Sequence, residues 1–292
     1  MSALDEARSQ ATVSGDDLAS VLAYLELTVN RRLRGLLRGS FASHASGDGS
    51  DPDTAREYVI GDDVRRMDWA VTARTGRAHV RNQEAERELE CWIVAEPAAR
   101  LATGAETTTK RHLLLAATSA ISVLNDAPGS RTGLLAGETM VTPGLGRNHN
   151  MMMLHRLAHT TTEHNVSVDI DTVLTRAPRA GLLVLISDFL GPVDWSDALR
   201  VAAAHCQIMA IRLVDPADEH LPGTGPVVLA DPATGATVEL NITKAARDEY
   251  AARAAAHHEQ VMALLRQAQA QVITLRTDSD WVLDFARQLG RL

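Results

Sequence analysis

Charged side chains crowd residues 39–88. Asp51, Asp53, Arg56, Glu57, Tyr58, Gly61, Asp62, Asp63, Arg65, Asp68, Trp69, Arg74, Arg81, Glu84, Glu86, Arg87 and Glu88 all fall there. Carboxylate pairs do general acid–base work when their environments drive their pKa values apart. Here arginines interleave with the carboxylates, which lowers both pKa values and leaves ion pairs rather than proton donors. Guanidinium forks grip carboxylates bidentately. The block therefore reads as a salt-bridged arm with Trp69 as its apolar anchor, a rigid charged surface suited to recognising a partner.

Other constellations are weaker. His155 and His159 stand one helical turn apart, with His149 and His164 nearby, but no Cys or Glu at ligand spacing completes a zinc site. They read as exposed helix-face histidines. His257-His258-Glu259 is not the metalloprotease pattern. Residues 48–53 are similar to a calcium loop, yet Asp53 and Val59 stand where the loop needs Gly and Glu. The chain has no nucleophile elbow, no P-loop and no dinucleotide fingerprint.

The elements that must position any site follow from periodicity. Residues 1–15 are polar and read as a disordered tail. Leu18, Leu22, Leu25, Val29, Leu33 and Leu36 recur at helical spacing, so residues 16–37 read as an amphipathic helix packed on the rest. The charged arm, with strand-like runs such as 77–82, continues to residue 89. From 90 to 292 strands and helices alternate: strand 91–95, helix 110–124, hairpin 132–136 and 139–141, helix 148–159. Then come strand 181–186, helix 195–205, strand 207–214, hairpin 227–230 and 237–240, helix 244–270, strand 272–275 and helix 280–289. The run Gly181-Leu182-Leu183-Val184-Leu185-Ile186 is apolar throughout, as a central parallel strand covered on both faces requires. The expected fold is α/β, a doubly wound, mostly parallel, Rossmann-type sheet. Ligands of such sheets bind at the strand C-termini where strand order reverses. The loops carrying Glu96 to Arg100 and Ser187-Asp188 should meet there.

Composition narrows the function. A net charge of −8 and pI near 5.8 give no global attraction to nucleic acid or anionic membrane. Aromatic content of 3% excludes a base-stacking platform, and counts against a nucleic-acid role for the Arg-rich residues 31–38. Lys110 and Lys244 are the only lysines, a skew that reads as genome composition. Cys91 and Cys206, each assigned to a predicted strand, read as reduced packing residues of a cytoplasmic protein. No stretch is long and apolar enough for a membrane span, and the polar, acidic start is not a signal peptide.

The ordered run Arg56-Glu57-Tyr58, Gly61-Asp62-Asp63, Arg65, Asp68-Trp69, Ala73-Arg74-Thr75-Gly76, Val80-Arg81 and Glu86-Arg87-Glu88 resembles the bacterial domain-of-unknown-function fifty-eight family, across roughly residues 16–290. The resemblance implies a von Willebrand factor A-like core. It also implies a place beside MoxR-type AAA+ ATPases, as an adaptor or chaperone-like partner rather than an enzyme. Many members carry N-terminal membrane helices; this chain resembles a short soluble form. Metal-binding A domains read Asp-x-Ser-x-Ser after the first strand, with an Asp after the central strand. Glu96 stands at the first Asp, Ala98 and Arg100 at the two serines, and Asp188 retains the last. Both hydroxyl ligands are gone, and a guanidinium beside two carboxylates repels a dication by roughly 4 kcal/mol per charge pair. The expected site is a degenerate, metal-free partner-binding face of Glu96, Ala98, Arg100, Ser187 and Asp188, with no cofactor and with Mg²⁺ disfavoured. The rival expectation is a metal-dependent hydrolase using Glu96 and Asp188.

Overall fold

The computed structural model describes residues 28, 32–33, 55–59, 64, 67–81, 89–105, 108–127, 129–161, 164–221, 223–231 and 234–290. The expected tail, most of the expected helix 16–37, and Gly61, Asp62, Asp63, Arg65, Glu86 and Arg87 of the arm lie outside them.

The arm's described part is a small unit. Strands β1 (Ala55–Glu57) and β2 (His79–Arg81) pair antiparallel, Ala55 opposite Arg81. Between them runs helix α1 (Trp69–Thr75). The Asp68 side chain caps it by accepting from Ala70 N and Val71 N, each at 3.1 Å. Gly76, at φ +69°, ends it in the left-handed region that glycine enters without strain. This corrects the anchor expected of Trp69. As the first residue of a short exposed helix, Trp69 is 68% exposed rather than buried as an apolar anchor. Arg77 and Glu57 pair at 2.8 Å, both exposed, so solvent screens most of that attraction.

The core is a six-stranded sheet. In chain order its strands are β3 (Glu90–Ala95), β6 (Arg131–Ala136), β7 (Thr139–Gly144), β8 (Leu182–Ser187), β9 (Gln207–Val214) and β12 (Gln271–Arg276). Two short pairs are interposed, β4 (Gly104–Ala105) with β5 (Thr108–Thr109) and β10 (Gly225–Ala230) with β11 (Thr237–Ile242). The spatial order is β12-β9-β8-β3-β6-β7, parallel except for the edge strand β7. From β3 the chain moves outward to β6 and β7, then returns to β8 on the other side. Strand order therefore reverses between β3 and β8.

Side chains alternate across these strands, so each face needs its own cover. Cys91, Ile93 and Ala95 face one core with α2 (Lys110–Leu124), α3 (Arg147–His159) and α8 (Trp281–Leu289). Trp92, Val94, Leu183 and Leu185 face the other with α4 (Val166–Arg176), α5 (Trp195–Ala203) and the C-terminal part of α7 (Lys244–Gln267). Burial on both faces is why β8 is apolar from Leu182 to Ile186. Burial also pushes the Cys91 thiol up to about 12. Cys206 departs from expectation: it stands half-buried in the turn before β9 rather than within a strand.

Helix α4 is absent from the periodicity reading because Val166, Val168, Ile170 and Val173 are β-branched and favour strands. Tertiary burial of Val166, Ile170 and Val173, spaced four and three residues apart, overrides that preference. The Asn165 side chain caps the helix from Ser167 N and Val168 N. The β10–β11 hairpin stands apart from the sheet, with Val228 63% exposed. Among the described residues no helix is long and apolar enough to cross a membrane.

The expected N-terminal helix leaves a trace. Thr28 is helical, Leu33 is fully buried in the α2–α3–α8 core, and Arg32 pairs with Asp280 at 2.6 Å. Leu33→Ala should therefore cost about 2–5 kcal/mol of unfolding free energy, the range for a buried leucine. Urea denaturation measures it; a loss of a few tenths would place Leu33 outside the core.

Candidate functional site

Four strand C-termini converge on one ion-pair network. β3 ends at Ala95, and Glu96 N still donates to Ile186 O across the switch point. A short 3-10 turn, Ala99–Ala102, then lifts Arg100 over the sheet end. β8 ends at Ser187, followed by Asp188 and by Phe189 at φ +54°, a left-handed conformation that a bulky residue adopts only when held there. Several contacts hold it. Phe189 N donates to Ser187 Oγ at 2.7 Å, and Leu190 N donates to Asp188 Oδ1 at 3.2 Å. His257 Nε2 donates to the Phe189 carbonyl at 2.7 Å, and the Phe189 ring packs edge-on against Trp195.

Asp188 is the hub, its side chain fully buried. Arg100 Nε lies 3.1 Å from both its carboxylate oxygens, and Arg100 Nη2 lies 2.9 Å from Oδ1. The same Nη2 donates to Glu96 Oε1 at 2.5 Å, and Ser187 Oγ donates to Glu96 Oε2 at 2.5 Å. On the inner side Lys110 Nζ, on a residue 1% exposed, lies 2.9 Å from Asp188 Oδ2 and 3.0 Å from Asp218 Oδ1. Lys110 opens α2, with Thr109 as its cap. Asp218 sits on the one-turn helix α6 (Pro216–Glu219), locked by a reciprocal cap with Asp215. Thr277 Oγ1, just after β12, donates to Asp215 at 2.6 Å. Glu219 extends the mesh to Arg276 of β12 at 2.9 Å.

Electrostatics follow from this geometry. Burial alone would raise the Asp188 carboxyl, but Lys110 and Arg100 overcome it and hold the group below its ordinary range. Burial also opposes the Arg100 charge; Asp188 and Glu96 more than compensate, so its proton is held tighter than usual. A buried ammonium costs several kcal/mol to desolvate, and two carboxylates within hydrogen-bond distance offset that cost.

Of the expected face, Arg100 does reach both Glu96 and Asp188. Three members are not surface, however. Ala98 is fully buried, and Ser187 and Asp188 are each 2% exposed, so only Glu96 and Arg100 reach solvent. Lys110 and Asp218 escaped the sequence reading. Lys110 did carry a signal: a cation in a helix's first turn opposes the macrodipole and needs a carboxylate partner from elsewhere. The histidines separate onto local partners. His149 meets the Thr132 carbonyl and His164 meets Asp169, while His155 and His159 lie exposed. Among the described residues no group of three or more His, Cys, Asp or Glu is arranged to hold a metal ion. Beside the network a cavity of about 500 Å³ opens against Glu96, Ser187, Phe189 and Trp195.

Fold and site together define an α/β protein with a doubly wound sheet whose strand-end crevice is closed from within by its own cations. The chain belongs to the family described as "Protein of unknown function DUF58", whose model matches residues 54–260. It is 43% identical over 279 residues to the uncharacterized protein Rv1480 of Mycobacterium tuberculosis, covering 92% of this chain and 88% of that one. The uncharacterized protein Mb1516 of Mycobacterium bovis matches equally. A 38% identity to the uncharacterized protein MAV169 of Mycobacterium avium spans 51% of this chain and 91% of that one. Among solved structures, the conserved hypothetical protein BatB of Bacteroides thetaiotaomicron overlaps at TM-score 0.40 and 12% identity, covering 70% of this chain and 97% of that one. An aerotolerance-related membrane protein of Bacteroides fragilis overlaps at the same TM-score and identity, covering 70% and 100%. Overlaps that loose say nothing about what this chain binds or does.

Lys110→Met keeps the unbranched stem and removes the charge. At pH 7 it should cost about 3–5 kcal/mol, the range for breaking a buried pair. Asp188 has a depressed folded pKa, so its contribution is complete above the unfolded carboxyl value near ~4 and is lost as pH falls through the lower folded value. The stability gap between wild type and variant should therefore narrow below pH ~4. Denaturation midpoints across pH measure it, and a gap unchanged into strong acid would deny Asp188 this role.

Proposed function

We propose that this chain is a non-enzymatic adaptor with a von Willebrand factor A-like core, acting in the cytoplasm as a chaperone-like partner of a MoxR-type AAA+ ATPase. The observation that carries the reading is Lys110 Nζ seated between Asp188 and Asp218, with Arg100 on the outer side of Asp188. A divalent cation at a strand-end crevice gathers carboxylates and fixes the loops around it. Here two side-chain cations do that work permanently, and each would repel an incoming dication. The rival hydrolase is weaker on the same geometry. Glu96 and Asp188 are both bonded to Arg100, which commits them to an ion-pair network. The arm adds an exposed Trp69 beside charged neighbours, the kind of residue that anchors protein contacts.

Two measurements test the reading. Native lysate passed over the immobilised chain with ATP and Mg²⁺ should yield an AAA+ ATPase, and Trp69→Ala should retain at least tenfold less, the loss of one aromatic anchor. Calorimetric titration of the chain with MgCl₂ should show no binding heat; micromolar affinity would end the metal-free reading.

A further inference from the structure

The crevice is closed toward the core but open toward solvent. Its cavity of about 500 Å³ lies between the loops after β3 and β8 and the N-terminal ends of α4 and α5. Glu96 and the buried Ser187 form the deep end, and Val166, Pro192 and Trp195 supply apolar wall. At the exposed mouth Asp194 accepts from Asn165 Nδ2 at 2.9 Å.

We propose that this pocket receives a basic side chain, guanidinium or ammonium, from a partner protein. The proposal rests on the adaptor reading and adds the chemistry of the contact. Three features carry it.

The first is charge. Glu96 and Asp194 face the cavity, with Asp169 behind His164 and Asp188 behind Arg100. The fixed positive charges are already committed: Arg100 is divided between Glu96 and Asp188, and Lys110 between Asp188 and Asp218. Among the described residues, carboxylates outnumber lysines and arginines around the opening.

The second is hydrogen-bonding capacity. Each Glu96 oxygen takes one donor in the network, from Arg100 or from Ser187. A carboxylate oxygen can accept two, so Glu96 can still bind a cation from outside. An anion finds less here. Ser167 N and Val168 N of α4 are occupied by the Asn165 side chain, the Asp194 carboxylate stands at the N-cap position of α5, and the deep end presents a further carboxylate.

The third is shape. Val166, Pro192 and Trp195 line the way to Glu96. Long basic side chains lay their methylene stems on such walls and carry the charge to the end. A wholly apolar ligand would fill the walls but strip water from Glu96 with nothing in return.

The test uses the full chain and small probes. N-acetyl-arginine methylamide is titrated against its neutral isostere, N-acetyl-citrulline methylamide, and against N-acetyl-glutamate methylamide. The Trp195 indole and Gly191 amide resonances report occupancy. The arginine probe should shift both, and bind at least about tenfold tighter than citrulline, the scale of a charge-assisted hydrogen bond. Asp194→Asn, at an exposed position that tolerates the change, should weaken the arginine probe several-fold and leave citrulline unchanged. Equal binding of arginine and citrulline, or preference for glutamate, overturns the proposal. The two readings separate in ATPase capture. An Asp194→Asn chain that retains the ATPase as well as wild type removes the pocket from the contact and leaves the adaptor role standing. Selective arginine binding by a chain that captures no ATPase supports the pocket and removes the adaptor role.

Discussion

Everything at the strand ends of this protein hangs on the contact between Lys110 and Asp188. A carboxylate with a fully buried side chain and an ammonium on a residue 1% exposed can coexist only because each neutralises the other. Once that pair is fixed, the rest has little freedom. Asp218 must come within reach of the remaining ammonium protons, which sets the position of the short helix after β9. Arg100 must cover the outer side of Asp188, which sets the path of the chain after β3. Phe189 must turn left-handed immediately after Asp188, at a backbone cost of order 1–3 kcal/mol that the surrounding hydrogen bonds and the Trp195 contact offset.

The sheet makes this convergence available. Parallel strands deliver all their C-termini to one edge, and the reversal between β3 and β8 places the crevice there. The packing cores on the two faces meet at this edge and stop. Polar groups beyond them must find partners among themselves or in water, and the observed mesh of Glu96, Arg100, Lys110, Asp188, Asp218, Glu219 and Arg276 is that solution.

Much of this was legible in the chain itself. Strand β9 and helix α2 run over the residues their periodicity marks, because each has a continuous apolar requirement that few other conformations meet. The reversal point and the meeting of the loops after β3 and β8 followed from the alternation of elements, while the juxtaposition of Glu96, Arg100 and Asp188 was suggested only by the resemblance to metal-binding A domains. What escaped did so for identifiable reasons. Helix α4 hid behind β-branched residues whose burial outweighs their local preference. Lys110 was passed over because a lysine at a helix start looks like surface until its partners, 78 and 108 residues away, are known. Ala98 was misplaced because matching it to a ligand position assumes an exposed loop, whereas its methyl group completes the core under the Arg100 turn. Trp69 was misjudged because an aromatic residue amid charges suggests an anchor, while Asp68 before it had already declared a helix N-cap.

The two thiols divide the molecule into an inner and an outer reporter. Cys91 sits in the middle of the sheet with its thiol pushed up to about 12, so almost no thiolate exists at neutral pH and no reagent reaches it while the strand stays paired. Cys206, half-buried at the edge of the other core, is within reach of solvent through local fraying alone. An alkylating reagent thus reads two different motions of one native chain, with no label introduced. Modification at Cys206 counts small excursions at a turn. Modification at Cys91 counts only the rare openings in which the central strand itself leaves the sheet.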